Sequence, residues 1–219
     1  MAALKLLVIA AAGGLGREVV REALLRGHAV SVLVRSPAKL QEALGGAVAA
    51  QLAGVHTGSG ESAADVAAAA AGAHAIISAG PPIPAMARVL GEACRASATC
   101  KAVVWTAGAS NLLEADGVTP HHLAYGPRGM QFYSAHAPCI AALLETKAPF
   151  IIWCPGFMKA LGKKSASPVA ISTRAVPGSV KAMDFVSYED AANAIVRAVE
   201  VDTFLNEHIT ALSEQAQEL

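Results

Sequence analysis

Three groups of residues have types and spacings that could do chemistry. The first is "AAAGGLG" (10–16), which follows an apolar run and precedes a charged, helix-patterned stretch. Backbone amides at a helix N-terminus point outward and carry partial positive charge, so a turn of this kind can hold a pyrophosphate. Gly13 would let the backbone approach the phosphates, and Gly16 would let the helix pack closely on the strand. Ala11, Gly14 and Leu15 complete that cradle. Ala10 stands where the usual fingerprint has its first glycine, so a tight turn between two packed elements is the competing reading.

The second group lies about 20 residues further on, where an acidic side chain would bind the ribose 2′-hydroxyl of NAD. The chain reads "VLVRSPAK" there, with Arg35 at the strand tip, Ser36 beside it and Lys39 one turn later. A guanidinium suits a 2′-phosphate through bidentate charge-assisted hydrogen bonds and can stack on adenine. NADP(H) is therefore expected in preference to NAD. The alternative for Arg35 is a solvated charge at a strand end. Ala79 and Gly80, Thr106, and Pro155 end later apolar runs and should lie along the same edge of a sheet. Gly80 has a second reading, as the start of the loop into Pro81 and Pro82.

The third group is "QFYSAHAPC" (131–139). The His136 imidazole titrates near neutrality, so it is the candidate catalytic residue, hydrogen-bonding a nicotinamide ribose or protonating a substrate. The alternative is a helix histidine packed under a loop. Tyr133 is read as structural and Tyr125 as a stacking lid. His121 and His122 have no third ligand at sensible spacing, so no metal is expected. No Ser/His/Asp arrangement or G-x-S-x-G elbow is present.

These residues need a scaffold. Up to residue 106, short apolar runs alternate with helical patterns, the signature of βαβ units and a parallel sheet. Strands are expected at 4–10, 28–35, 48–55, 73–80, 100–108 and 150–155. Helices are expected at 17–26, 36–44, 62–72, 85–97, 130–146 with an interruption near Pro138, and 187–200. Ser36 is the expected cap of the second helix, and Ser187 of the last, with Asp190 in its first turn. The irregular stretch 107–129 is long for a compact domain, and such loops are commonly functional.

At 219 residues and 54% hydrophobic content, the chain can bury one sizeable core, so a single α/β domain over 1–219 is expected. A small substrate-side region would come from about 107–129 and 156–187. The 17 basic and 17 acidic residues balance, which offers no basic surface for nucleic acid and no polybasic stretch for a membrane. The N-terminal "MAALKLLVIAAAGG" superficially resembles a signal peptide, but a first strand explains it better. No stretch approaches the roughly 20 apolar residues of a membrane span. The four cysteines form no CxxC pair, which fits reduced thiols and a cytoplasmic location.

With these residues in place, the chain resembles the atypical short-chain dehydrogenases, the NAD(P)-binding proteins similar to NmrA, isoflavone reductase and flavin (biliverdin-IXβ) reductase. The resemblance rests on the opening "VIAAAGGLGREVVREALLRGHAVSVLVRSPAKL" and on "GAHAIISAG", "KAVVWTAGAS", "FIIWCPG" and "VSYEDAANAIVRAV". It implies a doubly wound, Rossmann-like parallel sheet with helices on both faces. Ordinary members carry Tyr-x-x-x-Lys on the helix here placed at 130–146. Counted from Tyr133, the lysine position is Ala137. Counted from His136, which lies 19 residues before Pro155 like the lysine or histidine of the related branches, the tyrosine position is Phe132. The usual proton relay is absent. The serine that flavin reductases carry after the fifth strand is also replaced, by Ala107. The resemblance thus implies an NADPH-dependent oxidoreductase passing hydride to a small planar acceptor such as a flavin, quinone or biliverdin-like compound. Its rival is an NmrA-like sensor that binds NADP(H), acts on a protein partner and has no turnover. The missing Tyr-x-x-x-Lys argues against a sugar-nucleotide epimerase.

Overall fold

The computed structural model describes residues 2–122, 126–174 and 185–212. Its strands are β1 (Lys5–Ile9), β2 (Ala29–Val34), β3 (Gly54–Thr57), β4 (Ala75–Ser78), β5 (Ala102–Thr106), β6 (Phe150–Trp153), β7 (Phe157–Lys159), β8 (Ile171–Ser172), β9 (Phe185–Ser187) and β10 (Glu207–Ala211). Its helices are α1 (Gly14–Leu25), α2 (Pro37–Leu44), α3 (Gly46–Ala49), α4 (Ala63–Ala69), α5 (Pro84–Ala96), α6 (Gly126–Glu145) and α7 (Tyr188–Val199). Eight strands form one sheet in the order β3-β2-β1-β4-β5-β6-β10-β8, parallel except where β8 runs against β10. β7 and β9 make a separate parallel pair.

This is the expected doubly wound α/β fold, and its winding reverses between β1 and β4, the place where such sheets open a crevice. β1 shows why both faces must be covered. Leu6 and Val8 pack on one side with α1, α2 and α7, while Leu7 and Ile9 pack on the other with α4, α5 and α6. All four are buried, so the strand reads as a continuous apolar run rather than an alternating one. Polar ties close the layer. Glu22, buried on α1, accepts from Asn193 Nδ2 on α7 and from Lys164 Nζ, each at 2.7 Å. Arg26 forks onto both oxygens of Glu200, and His28 Nε2 meets the same carboxylate at 3.0 Å.

Three regions differ from the sequence reading. The third strand is not at 48–55: residues 46–49 form the short α3, and β3 begins at Gly54. α6 starts at Gly126 and runs through Pro138 without a break. Proline removes one donor there, but the Ser134 carbonyl it would have bonded lies on the exposed side of the helix, where water can replace it. β7 to β10 extend the architecture beyond the expected elements. Among the described residues, no helix is long and apolar enough to cross a membrane. All four cysteines are free thiols.

Candidate functional site

The turn after β1 is tight. Ala10 has φ 61°, the left-handed region that glycine occupies freely and alanine only at a cost of about 1–2 kcal/mol. The departure noted in the sequence is therefore real strain at the position where glycine is the usual choice. Gly13 N–H donates back to the Ala10 carbonyl at 3.0 Å. Helix α1 then lies so close that a Cβ on Gly16 would come 2.3 Å from the Ala10 oxygen and 3.0 Å from the Ala11 Cα. A Cβ on Gly14 would meet the Tyr188 ring at 2.8 Å. Ala10→Gly should relieve the φ strain, offset partly by the extra freedom of the unfolded chain, for a net gain of about 0.5–1 kcal/mol. Urea unfolding should show the midpoint rising at unchanged slope; a fall would mean that the Ala10 methyl, which faces Gly80, contributes more than the strain costs.

The cradle fits a phosphate. Gly13 caps α1 without any side-chain hydrogen bond, and no acidic residue occupies the first turn. The first amides of α1, in Gly14, Leu15 and Gly16, are thus left to an external anion. Ala11 and Leu15 are buried and hold the turn from below, while Gly13 is exposed. At the tip of β2, Arg35 is exposed and makes no hydrogen bond or ion pair among the described residues. Ser36 caps α2, its Oγ accepting from Lys39 N–H at 3.3 Å, so its own hydroxyl proton stays available. The Lys39 side chain is exposed on that first turn.

The other edge residues come together as the topology requires. Gly80 approaches the Ala10 turn, with a built Cβ 3.5 Å from the Ala10 methyl and 3.2 Å from Met86. Ala79 N–H reaches the Ile9 carbonyl at 3.3 Å. The Thr106 hydroxyl donates to the Ser78 carbonyl at 2.8 Å, tying β4 to β5. Ala109 N–H donates to the Pro155 carbonyl at 2.7 Å, so the ends of β5 and β6 are joined. The turn 109–111 is a short 3-10 helix against which α6 packs.

His136 is on α6 facing this turn. Its Cδ2 lies 4.0 Å from the Cβ position of Gly108, and its Nδ1 is enclosed without a hydrogen-bond partner among the described residues. Burial lowers its pKa below the ordinary histidine value. The sequence reading passed over two neighbours. Ser110 and Asn111 are buried, and the Ser110 hydroxyl and both polar atoms of the Asn111 amide lack partners among the described residues. Their only signal was a polar pair inside "AGASNLL", directly after a buried strand. Nearby, His208 Nδ1 donates to the Asn111 carbonyl at 2.7 Å, and burial lowers the pKa of His208 too. His121 pairs with Glu114, and His122 stacks on Tyr133 at 4.5 Å, which gives Tyr133 a packing role. Ser187 caps α7, accepting from Asp190 N–H at 3.0 Å, while the Asp190 carboxylate accepts from Ser165. Tyr125 lies outside the described residues.

A strand-to-helix glycine turn beside an exposed basic strand tip, at the crevice of a doubly wound sheet, defines a nucleotide-binding protein. Residues 10–201 match the model of the NAD(P)H-binding family, and the chain belongs to it. Solved structures with the same fold include a Streptococcus pneumoniae protein provisionally named an NADH-flavin reductase (TM-score 0.71, 22% identity, 97% of this chain and 100% of that one). Another is ChuY, an anaerobillin reductase of Escherichia coli O157:H7 (TM-score 0.73, 16% identity, 96% and 97%). A third is a Veillonella parvula short-chain dehydrogenase/reductase in complex with NADP (TM-score 0.74, 13% identity, 98% and 97%). No curated protein matches significantly.

Proposed function

We propose that the protein is an NADPH-dependent reductase that passes hydride to a small planar acceptor of the flavin, quinone or biliverdin kind. The observation that supports this reading is Arg35: an exposed guanidinium with no hydrogen bond or ion pair among the described residues, at the strand tip next to a helix end that no side chain caps, suits a 2′-phosphate. The glycine turn would hold the pyrophosphate on the amides of Gly14, Leu15 and Gly16, and Gly80, Thr106 and Pro155 would border the nicotinamide. The bound nicotinamide supplies the hydride; the chain supplies binding, orientation and exclusion of water. An extended planar acceptor needs no tyrosine–lysine relay, since the electrons it receives are delocalised and its proton can come from solvent. The names of the reductases sharing the fold agree with that chemistry.

The test is loss of reduced-nicotinamide absorbance when the protein is mixed with NADPH and FMN, menadione or biliverdin. Turnover with at least one acceptor is expected. Tight NADPH binding with no turnover on any of them would instead favour a dinucleotide sensor acting on a protein partner.

A further inference from the structure

Two cysteines bracket the turn between α5 and β5. Cys94 lies in the last turn of the helix, and Cys100 comes just before the strand. Ser97 folds the stretch between them back on itself: its Oγ accepts from the N–H of Cys100 at 3.2 Å and of Thr99 at 3.3 Å. Ser97 N–H donates to the Cys94 carbonyl at 3.1 Å, and the Thr99 hydroxyl anchors the loop on the Ala73 carbonyl at 3.0 Å. So folded, the loop sets Cys94 Sγ 3.8 Å from the Cys100 carbonyl oxygen, and the two thiols hydrogen-bond one another. Their surroundings differ, since Cys94 is buried and Cys100 is partly exposed. A thiolate on Cys100 accepts the Cys94 S–H, which lowers the Cys100 pKa; the same hydrogen bond, together with burial, raises that of Cys94. Cys139 and Cys154 are buried as well, and burial raises their pKa values. The thiolate is the nucleophilic form, so Cys100 is the attacking sulfur and Cys94 a second sulfur held against it.

We propose that Cys94 and Cys100 form a reversible disulfide site, closed by a hydroperoxide and reopened by a dithiol. The Cys100 thiolate attacks one peroxide oxygen, the O–O bond breaks, and the departing oxygen takes a proton and leaves as water or an alcohol. Cys100 is now a sulfenic acid. The Cys94 sulfur attacks the Cys100 sulfur, the S–O bond breaks, and the hydroxide leaves as water with the Cys94 proton. The thiols have then given up two electrons and two protons, and the peroxide has taken up both. The site lies at the amino end of β5, whereas the glycine turn follows the carboxyl end of β1 in the same parallel sheet. It therefore stands apart from the cofactor cradle and does not rest on the reductase reading.

The test is a peptide map of the whole protein after exposure to hydrogen peroxide, with free thiols blocked by iodoacetamide in denaturant and no reductant added. Trypsin cuts after Arg88, Arg95 and Lys101, which puts Cys94 in peptide 89–95 and Cys100 in peptide 96–101, so only a bridge holds the two together. The linked pair is expected, and dithiothreitol added before the block should abolish it. Cys100 should oxidise at least about 10-fold faster than Cys139 or Cys154. Cys94→Ser should stop at a sulfenic acid on Cys100 that dimedone captures, and Cys100→Ser should leave the Cys94 thiol reduced. The parent's map decides by itself, whether or not the variants fold. Cys100 left reduced, Cys100 carried on to sulfinic acid beside a free Cys94, or Cys100 linked to any other cysteine would each overturn the site.

Discussion

Gly16→Ala is expected to damage stability and cofactor binding together. Its new Cβ would lie 2.3 Å from the Ala10 carbonyl oxygen and 3.0 Å from the Ala10 carbonyl carbon and Ala11 Cα. All three are backbone atoms at the end of a strand buried on both faces, so none can rotate away as a side chain would. Either α1 slides off β1 or the turn after β1 opens. The helix packs its buried Val19, Val20 and Ala23 into one face of the core, and Glu22 anchors it to Asn193 and Lys164. Overpacking at so constrained a place costs about 2–3 kcal/mol. For a chain of this size that is a melting-temperature drop of about 5–10 °C. Moving the helix also misaims the amides of Gly14, Leu15 and Gly16, so NADPH affinity should fall about 10-fold or more. Thermal melts with and without NADPH read both effects. Gly46→Ala, where a Cβ meets no atom within 4 Å, is the control and should stay within about 0.5 kcal/mol of the parent. Parental stability and affinity in Gly16→Ala would mean that the close approach of α1 to Ala10 is not what builds the cradle.

Much of this arrangement is legible in the sequence because it follows from strong periodicity. Runs such as "KLLVI" and "AIIS" have no polar alternation, so they must be strands covered on both faces, and the helices between them have one apolar stripe each. Once the parallel order is fixed, the residues after each strand must share an edge, which is why Gly13, Arg35, Gly80, Thr106 and Pro155 could be grouped in advance. The misplaced third strand has the opposite cause. Residues 45–57 are mostly small, and β3 at the sheet edge alternates half-buried and exposed residues, so packing rather than local pattern sets its start. β10 follows the final helix as "EHITA", too short and mixed to announce itself, yet its pairing with β6 brings His208 to Asn111. The burial of Ser110 is harder to read. A serine in a glycine-rich loop looks solvated, and the structure encloses its hydroxyl in the 109–111 turn on which α6 packs. Ala10 lies between these cases: the sequence marks the departure, and the φ of 61° shows what it costs.

Arg35→Ala carries the second large expected effect, and it separates the two nicotinamide cofactors. β2 pairs with β1 through Leu33, and Val34 is still buried, so Arg35 is the first side chain to leave the sheet. No carboxylate neutralises it among the described residues. Beside it, Ser36 caps α2 and keeps its hydroxyl proton, while Pro37 brings no N–H and the Lys39 N–H is taken by the Ser36 oxygen. A charge-assisted hydrogen bond is worth about 1.5–3 kcal/mol, so losing the guanidinium should weaken NADPH about 10- to 100-fold. NADH has no 2′-phosphate and should change by no more than about threefold. Because Arg35 is exposed, the NADPH effect should shrink as salt rises from about 50 mM to 500 mM, whereas any loss of adenine stacking would be salt-independent. Arg35→Asp should go further, repelling the 2′-phosphate and offering the ribose hydroxyl of NADH an acceptor, so the ratio of the two affinities reverses. Equal losses for NADPH and NADH in both variants would assign Arg35 to the adenine face or to solvent, and the 2′-phosphate would then have to be read by Lys39 and Ser36 without it.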